Sequence, residues 1–419
     1  VRSPSLLRHL APPVPLSRRE IKILILLGLV AFSQGWAGNV LTHTLAFTRV
    51  TYGLSDAGIA DVQAIVRSVA LLALAFSWWS DHRGRRGPLL VAFAILPAAN
   101  LMTVFSGSLA SFAAWQSVTR IGTVALGALA LVVLAEEVEP EVRGYAAAVF
   151  ALFLSMGTGW GLLLSGIAER GDEAWRWLFG LSSVSLLVFP FLALHLKESR
   201  AYRRGTPRPP LAAVLRRGLA RYFWPMALLS FAVSAFTGPG ANFILPRMVN
   251  DLGWDQGPAS LVLVITSTPA VLLGLLIGGR AADLIGRRPT EFASMLVGVT
   301  GGLAFYWFEN GWILGLGIFG SVLGASAFSP AYSAQRAELF PTEVRATAGA
   351  WTVNASITGG LFGFLAGRFV IDAWGLSATI TVLGGLVLVS AVMLTLLPET
   401  RGSDIIGADP PGSPGAMPM

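Results

Sequence analysis

Two arginines stand where charged side chains are seldom found. All 23 acids of the chain lie near the end of an apolar run or in a connecting stretch, but Arg67 and Arg120 lie well inside such runs. Arg67 is about 13 residues from the end of its run and Arg120 about 16 from Glu136, which at about 1.5 Å per helical residue puts both about 20–24 Å deep. An arginine at the centre of a bilayer costs about 2.5–3.5 kcal/mol on insertion scales. A planar guanidinium can hold a carboxylate or phosphate through two parallel hydrogen bonds. Two such cations therefore point to an anionic ligand. The competing reading is that each caps backbone carbonyls at a kink or snorkels toward the far interface; Asp61, six residues before Arg67, can meanwhile reach an arginine of a neighbouring helix. His43, near the outer end of the first apolar run, is a candidate proton carrier, or else a polar anchor.

Other chemistries find no footing. With no cysteine there is no disulfide, thiolate zinc site or cysteine nucleophile. The four histidines, at 9, 43, 82 and 195, are scattered, and no buried acid is evident to complete a catalytic cluster or a metal site. No G-x-x-x-x-G-K-[ST] loop is present, so no direct use of ATP is expected. The sequence thus predicts neither an enzyme nor a cofactor.

The elements that must position these residues follow from composition. Of 419 residues, 54% are hydrophobic and 13% charged, about half the charge of a soluble globular chain. That is too little polar surface for a water-soluble protein of this size. The net charge of +7 is therefore a poor argument for nucleic acid as partner, since that charge must first be placed relative to a lipid bilayer. Taking about 20 apolar residues per crossing, the sequence predicts an all-α membrane protein of twelve spans, near 21–43, 60–80, 87–106, 109–135, 143–167 and 175–196, then 222–248, 258–279, 288–308, 311–335, 344–367 and 375–397. Residues 1–20 form a basic tail, 197–221 a basic, proline-containing linker and 398–419 a second tail. With the N-terminus inside, about 23 of the 30 Lys and Arg fall on the cytoplasmic side, so both termini are expected there. The first run is read as a retained span, because no small-residue cleavage site follows it.

The chain also repeats itself at an offset of about 202 residues. Ser77–Arg86, containing Asp81, Arg85 and Arg86, corresponds to Gly279–Arg288, containing Asp283, Arg287 and Arg288. Glu136, Glu141, Val142 and Arg143 correspond to Glu338, Glu343, Val344 and Arg345, and Gly157 and Gly161 to Gly359 and Gly363. Lys197–Arg200 parallels the Pro398–Gly402 ending. The chain is thus read as two parallel six-span halves, 21–196 and 222–397. These D-x-x-G-R-R loops, E-x-x-x-x-E-V-R loops and the P-E-T-R-G ending resemble the signatures of the major facilitator superfamily from about residue 20 to 402.

The resemblance implies two pseudo-symmetric six-helix bundles around a central cavity, exposed to each side in turn. It makes the repeated loop residues Asp81, Arg85, Arg86, Glu136, Arg143, Asp283, Arg287, Arg288, Glu338 and Arg345 conformational gates rather than ligands. Simple obedience to the positive-inside rule is the other account of the arginines. Arg120-Ile-Gly-Thr-Val-Ala-Leu-Gly127 resembles the family's fourth-helix arginine motif, tied in relatives to proton coupling or substrate binding; here no acid stands in span one and Gly127 stands one heptad on. Polar or aromatic residues in the spans that line the family's cavity join Arg67 and Arg120 as candidate substrate contacts: Gln34, Trp36, Asn39, Asn242, Tyr332, Asn354 and Thr358. Each can equally be a helix–helix hydrogen-bonding group. The expected function is secondary transport of a small organic anion, as a monomer in a prokaryotic inner membrane, with a proton as candidate co-substrate. A sugar or neutral-metabolite carrier, a multidrug exporter and a transporter-fold solute receptor are the alternatives. Span five lacks the exporters' G-P pair, and the sugar porters' glutamine pairs are missing.

Overall fold

In the computed structural model the described residues are 15–139, 142–199, 214–215 and 217–401; side chains are undescribed at a few of these, among them Asp81, Arg143 and Glu343. Most of the two tails and of the linker lie outside this set. The described chain is helical, and ten of its stretches are long and apolar enough to cross a membrane.

The first stretch is helix α1 (Arg18–Ala37) followed after Gly38 and Asn39 by α2 (Val40–Thr51). Ser17 and Glu20 start α1 with a reciprocal capping box, satisfying two N–H groups that the helix itself leaves open. Helix thus continues to Thr51, well past the predicted end at 43; the Thr44 and Thr48 hydroxyls donate to carbonyls of their own helix, which satisfies them in a buried setting. Next come α3 (Asp56–Ser68), a 3₁₀ stretch Val69–Ala73 and α4 (Leu74–Arg83). A 3₁₀ segment in mid-helix is a local tightening of the kind found at hinges, and it begins two residues after Arg67. The first half is completed by α5 (Arg86–Val104), α6 (Leu109–Glu137), α7 (Arg143–Leu164), α8 (Arg176–Ser182) and α9 (Phe189–His195).

The second half holds α10 (Arg217–Asn242), α11 (Gln256–Leu284), α12 (Arg287–Trp307), α13 (Gly311–Leu339) and α14 (Thr342–Ser390). Gly375, with φ 81°, interrupts α14; only glycine takes that conformation without strain. Helix α12 has helical length but a polar first turns' worth of residues, and it is not among the ten apolar stretches.

Two compact units emerge. Unit 1 is 1–53, 65–206 and 253–260; unit 2 is 54–64, 207–252 and 261–419. The division departs from the sequence halves at two short segments, the start of α3 and the start of α11. Unit 1 packs around a core that includes Leu26, Leu27, Val30, Phe93, Leu126 and Ala130. Close helix approach explains the repeated glycines. A Cβ on Gly157 would fall 2.0 Å from the Phe32 carbonyl oxygen, and one on Gly359 would fall 2.1 Å from that of Phe231. Gly159, two residues after Gly157 on the same helix, has open space around it. Large apolar side chains such as Leu187, Leu276, Leu316 and Phe369 stay exposed; so much bare apolar surface suits lipid, not water.

Candidate functional site

The repeated loops fold into a matched pair of ion clusters. In unit 1, Arg85 is buried and directs its guanidinium to Glu136 at 2.9 Å and to Ser80 at 3.2 Å. The Glu198 carboxylate accepts from the Arg85 backbone N–H at 2.6 Å and from that of Arg86 at 3.3 Å, which places an anion on the N-terminus of α5. Arg86 turns away to the carbonyls of Leu196 and Ala193. Unit 2 repeats this closely. Arg287 binds Glu338 at 2.8 Å and also pairs with Asp283, while Glu399 accepts from the backbone N–H of Arg287 at 2.8 Å and of Arg288 at 3.0 Å. Gly84 (φ 103°) and Gly286 (φ 115°) make room for these carboxylates. A Cβ there would lie 2.5 Å from Glu198 and 2.7 Å from Glu399.

The electrostatics follow from this geometry. The hydrogen bond to Glu338 raises the Arg287 pKa above its ordinary value despite partial burial. At Glu399 burial pushes the pKa up, but backbone N–H groups of Arg287, Arg288, Arg401 and Thr400 outweigh it and hold the group below the usual carboxylate range.

Of the predicted gate residues, Arg85 with Glu136 and Arg287 with Glu338 and Asp283 are brought together. Arg345 instead donates to the Phe340 carbonyl at 3.3 Å, and the side chains of Asp81 and Arg143 lie outside the described set. Glu198 and Glu399 were legible as repeats but not as partners, because their bonds go to backbone N–H groups across more than 100 residues of sequence.

The predicted ligand residues fall in both units. In unit 1, Arg120 on α6 has a buried Nε without a hydrogen-bond partner, and it makes no ion pair with any described residue. Arg67 on α3 lies close enough for the two guanidinium charges to act on each other. Asp61 does not serve Arg67; it pairs with Arg368 at 3.0 Å within unit 2. Gln34 on α1 donates to the Thr123 carbonyl on α6 at 3.1 Å, and its Oε1 is buried without a partner. Gly127 permits this approach, since a Cβ there would come within 2.6 Å of Gln34 Nε2. Asn39 binds the Gly35 carbonyl at 2.8 Å and Thr158 at 3.3 Å, and Trp36 is half-buried with its ring edge-on to Phe32. His43, in the first turn of α2 with helix continuing to Thr51, is buried, and its Nδ1 has no partner.

In unit 2, Asn242 donates to the Gly238 carbonyl and accepts from Gln63 at 2.9 Å. Tyr332 is buried and donates to the Met226 carbonyl at 2.7 Å. Asn354 is half-buried, and the exposed Thr358 donates to its carbonyl. Sequence reading also overlooked Arg336, which reaches Thr352 at 2.9 Å, and it held that no acid is buried. Glu291 corrects that: it is 0% exposed. Lying four residues inside α12, it read as belonging to the charged helix end, but that helix face points into the bundle.

Comparison with known proteins agrees with this architecture. The sequence profile of the Major Facilitator Superfamily matches residues 23–255 and 226–414. A probable 4-methylmuconolactone transporter of Cupriavidus pinatubonensis is 26% identical over 92% of this chain and 94% of its own. The inner membrane metabolite transport protein YgcS of Escherichia coli is 23% identical over 94% and 95%, and a gallate transporter of Pseudomonas putida is 22% identical over 88% and 90%. Among solved structures, a D-xylose-proton symporter superposes with a TM-score of 0.75 over 92% of this chain and 99% of its own at 18% identity, a likeness of fold. The chain belongs to the Major Facilitator Superfamily and is a multi-pass membrane transporter.

Proposed function

We propose that this transporter carries a small organic anion of the carboxylate type, in symport with a proton, by alternating access between two six-helix bundles. The observation that carries the reading is Arg120: a cation in the middle of a span whose buried Nε lacks a hydrogen-bond partner, with the Arg67 charge beside it. A carboxylate would supply the missing acceptors and offset the mutual repulsion of the two guanidinium groups. Relatives named for 4-methylmuconolactone and gallate support a small, oxygen-rich metabolite. Gln34 and Trp36 from α1 and Asn39 from the link to α2 would flank such a ligand, and Asn242, Tyr332, Asn354 and Thr358 are the corresponding candidates of unit 2.

The rest of the reading follows from topology and charge. Counting the two parts of α14 on either side of Gly375, and α12 despite its polar start, gives twelve spans. The positive-inside rule puts both termini and the 197–221 linker in the cytoplasm, and bacterial relatives along most of the chain support an inner membrane. The clusters at Arg85 and Arg287 then lie on the cytoplasmic face as latches. A relative named an arabinose-proton symporter, 21% identical over 95% of this chain, supports a sugar as the second reading.

The test is a thermal-shift screen of purified protein against gallate, other carboxylates, pentoses and cationic drugs, repeated on Arg120→Ala. A ligand at 100 times its dissociation constant adds about 2.7 kcal/mol. Stabilisation by carboxylates that Arg120→Ala abolishes is the expected result. Equal stabilisation of both proteins by pentoses or drugs would overturn the anion reading, and counterflow in liposomes separates a carrier from a receptor.

A further inference from the structure

Glu291 is the most unusual acid in the molecule. Its residue is 0% exposed, and neither carboxylate oxygen has a hydrogen-bond partner. Two flanking contacts between α12 and α13 fix its level. Arg287 binds Glu338 on one side, and a Cβ on Gly324 would touch the Ser294 carbonyl at 2.5 Å on the other. Between them Glu291 faces the stretch of α13 near Tyr332, and Gln335 follows about one turn on. Gln335 is also fully buried, and its Oε1 is a second acceptor without a partner.

The charged and titratable groups around it do not neutralise a carboxylate. Tyr332 on α13 feels the Glu291 charge but donates to the Met226 carbonyl. Arg336 lies over the Tyr332 ring and binds Thr352. Glu399, from the chain after α14, adds a like charge. Arg287, one turn earlier on α12, is engaged by Glu338 and Asp283, and Arg288 gives its backbone N–H to Glu399. A bare carboxylate left uncompensated in such an interior is strongly unfavourable. A proton removes the charge and turns one orphan acceptor into a donor.

We propose that Glu291 is a proton-binding site of the transport cycle, protonated in this conformation and linked to the Arg287 latch. When water reaches it, the O–H bond breaks, the electron pair stays on the carboxylate and the proton passes to water. The new anion, one turn from Arg287, competes with Glu338 and Asp283 for the guanidinium and loosens the cluster. The repeat partners of Glu291, Tyr332 and Gln335 are Leu89, Ala130 and Val133, all buried and apolar, so the site belongs to unit 2 alone. The inference rests on the proton-coupled reading above.

The experiment compares wild type, Glu291→Gln and Glu291→Leu in liposomes. Infrared spectra at neutral pH should contain a protonated-carboxyl C=O band in the wild type that both variants lack; unchanged spectra overturn the proposal. With gallate as probe, Glu291→Gln should keep counterflow and lose the proton flux that accompanies net gallate uptake. Undiminished proton flux in Glu291→Gln overturns the assignment of Glu291. A wild type that exchanges gallate with no proton flux overturns proton coupling itself, and one with no gallate counterflow overturns the choice of anion while the infrared comparison still decides the protonation of Glu291.

Discussion

The two units share an ion cluster and differ in where they keep their buried polarity. In unit 1, Asn100 donates to the Ala37 carbonyl and Ser182 and accepts from Thr119 and Gln116, while Gln116 also reaches Thr103. The repeat partners in unit 2 are Gly302, Phe305, Ile318, Ser321 and Gly384. There the Phe236 ring occupies the space: a Cβ on Gly302 would lie 2.6 Å from it. At the other end of the bundle the pattern inverts, with Glu291, Tyr332 and Gln335 in unit 2 against Leu89, Ala130 and Val133 in unit 1. Duplicated backbones thus carry opposite gradients of polarity. A fully bonded polar network fixes one helix arrangement, whereas an acid without partners marks a place whose charge state can change.

The largest effect should come from the shared ion cluster. Arg287→Ala leaves Glu338, whose side chain is 6% exposed, with the Thr400 hydroxyl but no cation, and removing one partner of a buried pair costs about 3–5 kcal/mol. Arg85→Ala should cost less, because Glu136 is 19% exposed and can recover water. Thermal unfolding in detergent checks the order; equal losses would mean that the two clusters are energetically alike.

Helix contacts come next. Gly359→Ala and Gly157→Ala each drive a methyl into a backbone carbonyl, and overpacking of this kind costs about 1–3 kcal/mol. Gly159→Ala, with open space around it, should leave the melting temperature unchanged, so the three together separate packing from mere glycine content.

The polar network offers a smaller and more pointed test. Thr119→Val removes one neutral hydrogen bond, worth about 0.5–1.5 kcal/mol. Its repeat partner Ser321 has no described hydrogen bond, and Ser321→Ala should stay within about 0.5 kcal/mol of wild type. A cost at Ser321 equal to that at Thr119 would erase the difference between the units.

The smallest effect is pH-dependent. Glu399 is held below its ordinary pKa, so its contribution is complete above the usual carboxylate range and is lost as pH falls through the lowered value. Melting curves of the wild type should fall over that acid window, and Glu399→Gln should show a shallower fall there.

Much of this was legible in sequence because the bilayer enforces it. Apolar runs end where charge begins, so α5, α7 and α12 start within one residue of their predicted positions. The repeat revealed Arg85, Glu136, Arg287 and Glu338 as matched loop residues, but not that each arginine pairs with the glutamate of the other loop. Glu198 and Glu399 escaped, since a carboxylate bound to backbone N–H leaves no side-chain partner to find. Glu291 escaped for a geometric reason. Sequence distance from a helix end says how deep a residue lies but not which way its side chain faces.

Composition, periodicity and repetition by themselves determined that the chain is helical, apolar and duplicated, because backbone hydrogen bonds inside lipid must be satisfied within each span. Only the tertiary structure decided which polar groups meet partners and which do not, because that depends on helix rotation and packing between segments far apart in sequence. Asn100 found four partners, whereas Arg120 Nε and the Glu291 carboxyl found none.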